Sequence, residues 1–146
     1  MSRTAVERPP LLFPGSQGET SYSRMLPREP ESAAVARYLV RGAFSYWCLD
    51  ELVEGAALAV TELVANSAQH ARGTTIHVAV ALHRTGWVRV SVVDRDHKPP
   101  AQRMPADDAE RGRGLALVDA VATQWGVDPL PWGKRVWADF APEVRT

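Results

Sequence analysis

The chain has 146 residues, with 17 lysines and arginines balanced by 17 acidic residues, 45% apolar side chains and 23% charged ones. That length suffices for one compact domain with a real core, and a formal charge of zero argues against a nucleic-acid binder, which needs a basic face. There is no run of about 18 apolar residues to span a membrane and no long apolar stretch near the N-terminus to act as a secretory signal. The expectation is a soluble, cytoplasmic, single-domain protein.

Residues 1–20 are rich in Pro, Gly, Ser and Thr without sustained periodicity, and are expected to form a flexible N-terminal arm ahead of a domain over 21–146. "YSRMLP" predicts a short edge strand stopped by Pro27. "EPESAAVARYLVRGAFSYW" predicts a helix with Pro30 in its first turn and one apolar side made by Ala34, Val35, Tyr38, Leu39 and Phe44. Cys48, the one cysteine, falls in this apolar pattern and is expected to be a small buried hydrophobe. Asp50 is placed to N-cap a second helix over about 51–71, ended by Arg72-Gly73.

"TTIHVAVALH" and "GWVRVSVVD" alternate as strands do, around a turn at Arg84-Thr85-Gly86. Ile76, Val78, Val80 and Leu82 share one face of the first strand, and Val88, Val90 and Val92 one face of the second. The same period of two points Asp94 at the core. Residues 95–111 read as a polar, proline-containing loop. A glycine-rich turn then leads into a helix ended by Gly126, and "VDPLPWGKRVWADF" predicts a last hairpin. The order (β)ααββ, loop, α, ββ predicts an α+β two-layer sandwich, with helices on one face of a mixed sheet.

Three features could carry chemistry. In "TELVANSAQHA", steps of four put Glu62, Asn66 and His70 in one slowly turning row on the second helix, beside the core stripe of Leu52, Ala56, Val60 and Leu63. Such a row is compatible with ordinary polar shoulders and with a cleft lining; buried there, it needs partners. Asp94, ending a core-facing strand, needs donors, which an exocyclic amine of a base or a backbone turn would supply. Gly112-Arg113-Gly114 before a helix lets backbone N–H groups approach an anion, although loop glycines need no ligand. His77 and His83 share the outward strand face without forming a recognisable metal set. Of the five tryptophans, Trp87, with Arg89, is outward-facing and marks a possible partner surface.

Taken in order, "TELVANSAQHA", "DRDHKPP", "GRGLALVDAVATQWGV" and "GKRVWADF" resemble the GHKL superfamily of ATPases and kinases over about residues 22–141, most closely the small anti-sigma-factor serine kinases and their short actinomycete relatives. The resemblance implies a Bergerat-type ATP site using ATP and Mg²⁺. It makes Glu62 the general base, Asn66 the Mg²⁺ ligand and His70 a lining of the phosphate side. Asp94 would accept from the adenine amino group. Gly112, Gly114 and Leu115 would lie at the phosphates, with Arg111 and Arg113 able to pair with them. Residues 95–111 would form a lid, and Gly133 and Lys134 a turn near the base. One departure is Asp96, which stands where the family has a glycine two residues after the aspartate. With no phosphoacceptor or transducer domain expected, the resemblance implies a partner-switching regulator. It would bind a sigma factor, phosphorylate a serine or threonine of an antagonist protein and be able to form a homodimer, with no nucleic-acid or membrane partner.

Overall fold

The computed structural model describes residues 20–95 and 115–142. Its elements follow in the order β1 (Ser21–Pro27), α1 (Ser32–Tyr46), a 3₁₀ turn (Asp50–Leu52), α2 (Val53–His70), β2 (Arg72–Leu82), β3 (Val88–Arg95), α3 (Ala116–Val121), β4 (Gln124–Leu130) and β5 (Gly133–Phe140). Residues 1–19 of the expected arm and 96–111 of the expected lid lie outside the described residues; Thr20 is described, its carbonyl accepting from the Leu82 N–H at 2.8 Å.

Five strands form one sheet in the order β1-β2-β3-β5-β4, with the helices packed on one side. This is the expected α+β two-layer arrangement. Every pairing between neighbours is antiparallel, where the sequence suggested a mixed sheet. The topology gives the reason. β4 does run parallel to β3, but the β4–β5 hairpin places β5 between them, so the parallel strands never touch. Two helices lie between β1 and β2, so the chain turns back three times on the way and the two strands pair antiparallel.

Alternation in β2 and β3 builds the core as predicted. Ile76, Val78, Val80, Val88, Val90 and Val92 are each at most 1% exposed, and Leu82 packs against them. Burying one such side chain contributes about 1.5–3 kcal/mol. From β5 come Val136, Ala138 and Phe140; from α2, Ala56, Val60, Leu63 and Val64. The β2–β3 turn closes through the Gly86 N–H to the His83 carbonyl at 2.8 Å, with Gly86 at φ +100°.

Helix α1 is rotated from the expected orientation. It buries Ala33, Ala36, Val40, Ala43 and Phe44, whereas Tyr38 is 80% exposed and Ala34 and Val35 face outward. Small residues let α1 approach α2 closely, and the bulky Tyr38 is the side chain left over. The α1 end also differs. Cys48 is exposed at φ +59°, and its N–H reaches the Ser45 carbonyl (3.1 Å) while the Leu49 N–H reaches the Phe44 carbonyl (2.8 Å). This is a Schellman cap with cysteine in the left-handed position normally held by glycine, so the thiol is not a core group.

Asp50 opens the 3₁₀ turn without capping α2, whose N-cap residue is Leu52. Helix α2 ends at His70, before the expected Arg72-Gly73, because β2 already starts at Arg72; Gly73, at φ +86°, lies just inside that strand. Helix α3 is also shorter than predicted, since Gln124, Trp125 and Gly126 belong to β4, whose edge position tolerates Pro129.

Candidate functional site

The C-terminal end of β3 and the C-terminal end of α2 meet at one end of the molecule. Arg95 pairs across the sheet with Arg72, two residues beyond the last residue of α2. The parity argument for Asp94 holds: it faces the core side and is 2% exposed. On β5, Lys134 stands directly opposite, and its Nζ donates to both carboxylate oxygens, at 2.9 Å to Oδ1 and 2.8 Å to Oδ2. Both side chains are 1% exposed. Buried charges persist only when paired in this way.

Gly133 makes the approach possible. A Cβ there would overlap the Asp94 carbonyl oxygen and lie 3.0 Å from the Arg95 Cα. Any larger residue would push β5 away from the end of β3. Glycine, ion pair and strand register form one unit.

On α2 the row separates by burial. Glu62 and His70 are partly exposed, while Asn66 is buried at 6% exposure. Neither Glu62 nor Asn66 makes a side-chain hydrogen bond among the described residues, and the neighbouring Ser67 Oγ is buried without a partner. The Asn66 amide, unlike the Ser67 Oγ, is not wholly shut off from solvent and is open to a ligand, ion or water. His70 opens instead on a polar cavity of about 500 Å³ lined by Arg28, Gln69, His70, Ala71, Arg72 and Gly73.

Sequence reasoning missed Arg28 in that cavity. Its guanidinium donates to the Ala68 carbonyl at 2.6 Å and the Gly73 carbonyl at 2.7 Å. It thus closes the carbonyl end of α2 with a positive charge, a favourable match to the helix dipole. An arginine just after a strand-ending proline carries no local signal of this role; only the fold brings it to a helix 40 residues away.

Leu115 is 3% exposed and packs in the hydrophobic core at the start of α3. Arg111, Gly112, Arg113 and Gly114, together with Asp96, lie outside the described residues. Among the described residues no His, Cys, Asp and Glu group is arranged to hold a metal by itself, and no helix is long and apolar enough to cross a membrane.

On the outer sheet face, Arg89 is withdrawn from the possible partner surface. It is 7% exposed, bonds Asp139 through Nε (2.7 Å) and one terminal nitrogen (2.9 Å), and stacks 4.0 Å from the Trp137 ring centroid. Trp87 is stacked by His83, with ring centroids 4.6 Å apart.

The fold is an antiparallel sheet backed by helices, with a buried asparagine on α2 and a buried aspartate near the end of β3. Residues 26–139 match the histidine kinase-like ATPase domain, and the chain belongs to that family, within the GHKL superfamily. "Uncharacterized protein SCO4941" of Streptomyces coelicolor is 40% identical over 72 residues, 47% of this chain and 69% of that protein. The crystal structure of the RsbU and RsbW domains of Rv1364c from Mycobacterium tuberculosis superposes with a TM-score of 0.63 at 21% identity. It covers 86% of this chain, which in turn spans 34% of that longer one.

Proposed function

We propose that the domain is an ATP- and Mg²⁺-binding regulatory serine/threonine kinase of the anti-sigma type, acting on an antagonist protein in a partner-switching system. The observation that carries this reading is Asn66, a buried amide on α2 with no hydrogen-bond partner among the described residues, in a chain of the histidine kinase-like ATPase family. Mg²⁺ takes oxygen ligands and keeps several waters, so one amide oxygen beside the phosphates suits it. When bound, the ion would neutralise charge on the phosphates.

Under this reading the chain's own residues position the reactants. Glu62, one turn before Asn66, orients the attacking hydroxyl and takes its proton. Phosphoryl transfer asks mainly for such placement and for charge stabilisation. Asp94 accepts from the base amine, with Lys134 beside it. Arg28 and Arg72 add positive potential at the end of α2, beside His70, and Arg111, Gly112, Arg113 and Gly114 would face the phosphates, while Leu115, its side chain in the core, could offer them only its main chain. That the structural neighbour carries RsbU and RsbW domains is in keeping with protein partners; a sigma factor and an antagonist are the partners this reading proposes. A homodimer and a cytoplasmic location fit the same reading.

A second reading has one observation in its favour. Lys134 already holds both oxygens of Asp94, which suits an interaction module that binds no nucleotide. Calorimetric titration with ATP and ADP in Mg²⁺ separates the two. Binding that weakens at least tenfold in Asn66→Ala supports the nucleotide site. Transfer of the γ-phosphoryl group to a partner serine, lost in Glu62→Ala, supports the kinase. No binding at millimolar nucleotide overturns both and leaves the interaction module.

A further inference from the structure

The sheet has a second face, away from the helices. Alternation puts on it Ser21 from β1, Ala81 from β2, Arg89 and Ser91 from β3, and Trp137 and Asp139 from β5. An antiparallel sheet with helices on one side ordinarily shows its other face to water. Here Trp137 is 0% exposed, Arg89, Ser91 and Asp139 are buried, and Ser21, on an edge strand, is only 3% exposed. The helices lie on the opposite face and do not supply this burial. Arg89 sits 4.0 Å from the Trp137 ring centroid, which shields part of one ring face and leaves Ser21, paired with Ala81, unaccounted for. The Trp137 Nε1–H and the Ser21 Oγ are both buried without a hydrogen-bond partner among the described residues.

The cover therefore comes from outside the described residues, and one segment has the chemistry for it. Residues 96–114 are polar, with Met104 as their one large apolar side chain, and residues 143–146 bring only Val144. In residues 1–19, by contrast, Leu11, Leu12 and Phe13 stand together, framed by Pro9, Pro10 and Pro14. The prolines have no N–H to give a strand ladder and keep the residues before them extended. Such a segment suits lying across a sheet face better than adding to its edge. Proline-rich chain packs well on aromatic surfaces, and its carbonyls, unpaired in that conformation, are free to accept from the Trp137 indole.

Position agrees with chemistry. The segment joins the domain at Thr20, beside Ser21, in the row that runs through Ala81, Arg89 and Asp139. In sheet order β5 is three strands from β1, about 14 Å at ordinary strand spacing. The chain from Thr20 back to Phe13 spans up to about 23 Å, so it reaches Trp137 with slack for a turn at Gly15 or Gly18.

We infer that residues 9–14 cross the outer face of the sheet of their own chain, with Leu11, Leu12 and Phe13 packed over Ser21, Arg89 and Trp137. This packing is independent of nucleotide binding and adds a partial third layer to the fold.

NMR of the full chain tests it, with the Trp137 indole signal identified by its absence in Trp137→Phe. Expected are nuclear Overhauser contacts from the Phe13 ring and the Leu11 and Leu12 methyls to the indole, and slow exchange of its Nε1–H with solvent. Replacing Leu11, Leu12 and Phe13 together by Ser should speed that exchange by at least about tenfold, while the amides of β3 stay protected. Fast exchange in the unaltered chain, or no contact between residues 9–14 and Trp137, overturns the inference. So does a protected indole that the triple replacement leaves protected, since another segment then forms the cover. Contacts seen only between differently labelled copies in a mixed sample overturn it as well and assign the face to a second copy of the chain. Because the contacts are read on the unaltered chain, a triple variant that fails to fold does not decide the outcome.

Discussion

Lys134 and Asp94 face each other across the β3–β5 ladder as a buried ion pair, with both carboxylate oxygens taken by one ammonium and each side chain 1% exposed. The contact holds two strands together. Its energetics follow from burial. Removing the lysine alone leaves a desolvated carboxylate, and breaking a buried pair on one side costs about 3–5 kcal/mol. Lys134→Met is therefore expected to lower the urea midpoint sharply. The double variant Asp94→Asn with Lys134→Met removes both charges and should recover much of that loss. A double-mutant cycle with little coupling between the two positions would contradict the pairing seen here.

Asn66 should behave in the opposite way. Its side chain makes no hydrogen bond among the described residues although it is buried, so it adds little to folding. Asn66→Ala is expected to change unfolding free energy by less than about 1 kcal/mol, since no side-chain hydrogen bond is lost and the cavity left is small. Nucleotide affinity in Mg²⁺ should drop in the same variant. Chemical denaturation alongside calorimetry distinguishes this from a structural asparagine, whose loss would lower stability and leave affinity alone.

The end of α1 offers a stability test unconnected with the site. Cys48 occupies the left-handed position of a Schellman cap at φ +59°. A residue with a Cβ pays about 1–2 kcal/mol there, and glycine does not. Cys48→Gly should raise stability by about 0.5–1 kcal/mol after the extra chain entropy of glycine is allowed for. Its thermal midpoint would then rise by a few degrees for a domain of this size. A fall would mean that the cysteine side chain makes a contact worth more than the backbone strain.

How far the sequence could be read depended on how much each feature owes to local pattern. Strict alternation put Val88, Val90 and Val92 in the core, and counting on by two placed Asp94 beside them; the structure agrees because a strand has only two faces. Helix α1 was less legible: Phe44 and the partly buried Leu39 do pack on the core, but Val35 and Tyr38 are exposed while the small Ala33, Ala36 and Ala43 are buried. Side-chain size is a poor guide where packing of α1 against α2 favours small residues. Cys48 was misplaced for a related reason, because an apolar run gives no sign of the residue at which a helix stops. The row from Glu62 to His70 followed from helical geometry, but the opposition of Lys134 to Asp94 depends on strand order and register. Neither is written in any stretch of neighbouring residues.

His77 gives a pH test with a definite sign. It lies half-buried on the outer sheet face, opposite Met25 on β1 and Val93 on β3, in the row that continues to Arg135 on β5. Desolvation first, and the positive charge of Arg135 second, hold its pKa below the ordinary value of 6.5. Between that ordinary value and the lowered one, the unfolded chain binds more protons at this position than the folded chain. Stability from neutral His77 is thus present above pH 6.5 and is lost as pH falls through the folded value. The unfolding free energy should decline as pH is lowered below about 6.5, before the carboxylates titrate. His77→Gln should flatten that decline. Arg135→Gln should move the imidazole titration, followed by NMR, back toward 6.5 without restoring it fully, because burial is the larger cause. A His77 titration at or above 6.5 in the unaltered chain would show that the imidazole is solvated or has an acidic partner, and the predicted slope would vanish with it.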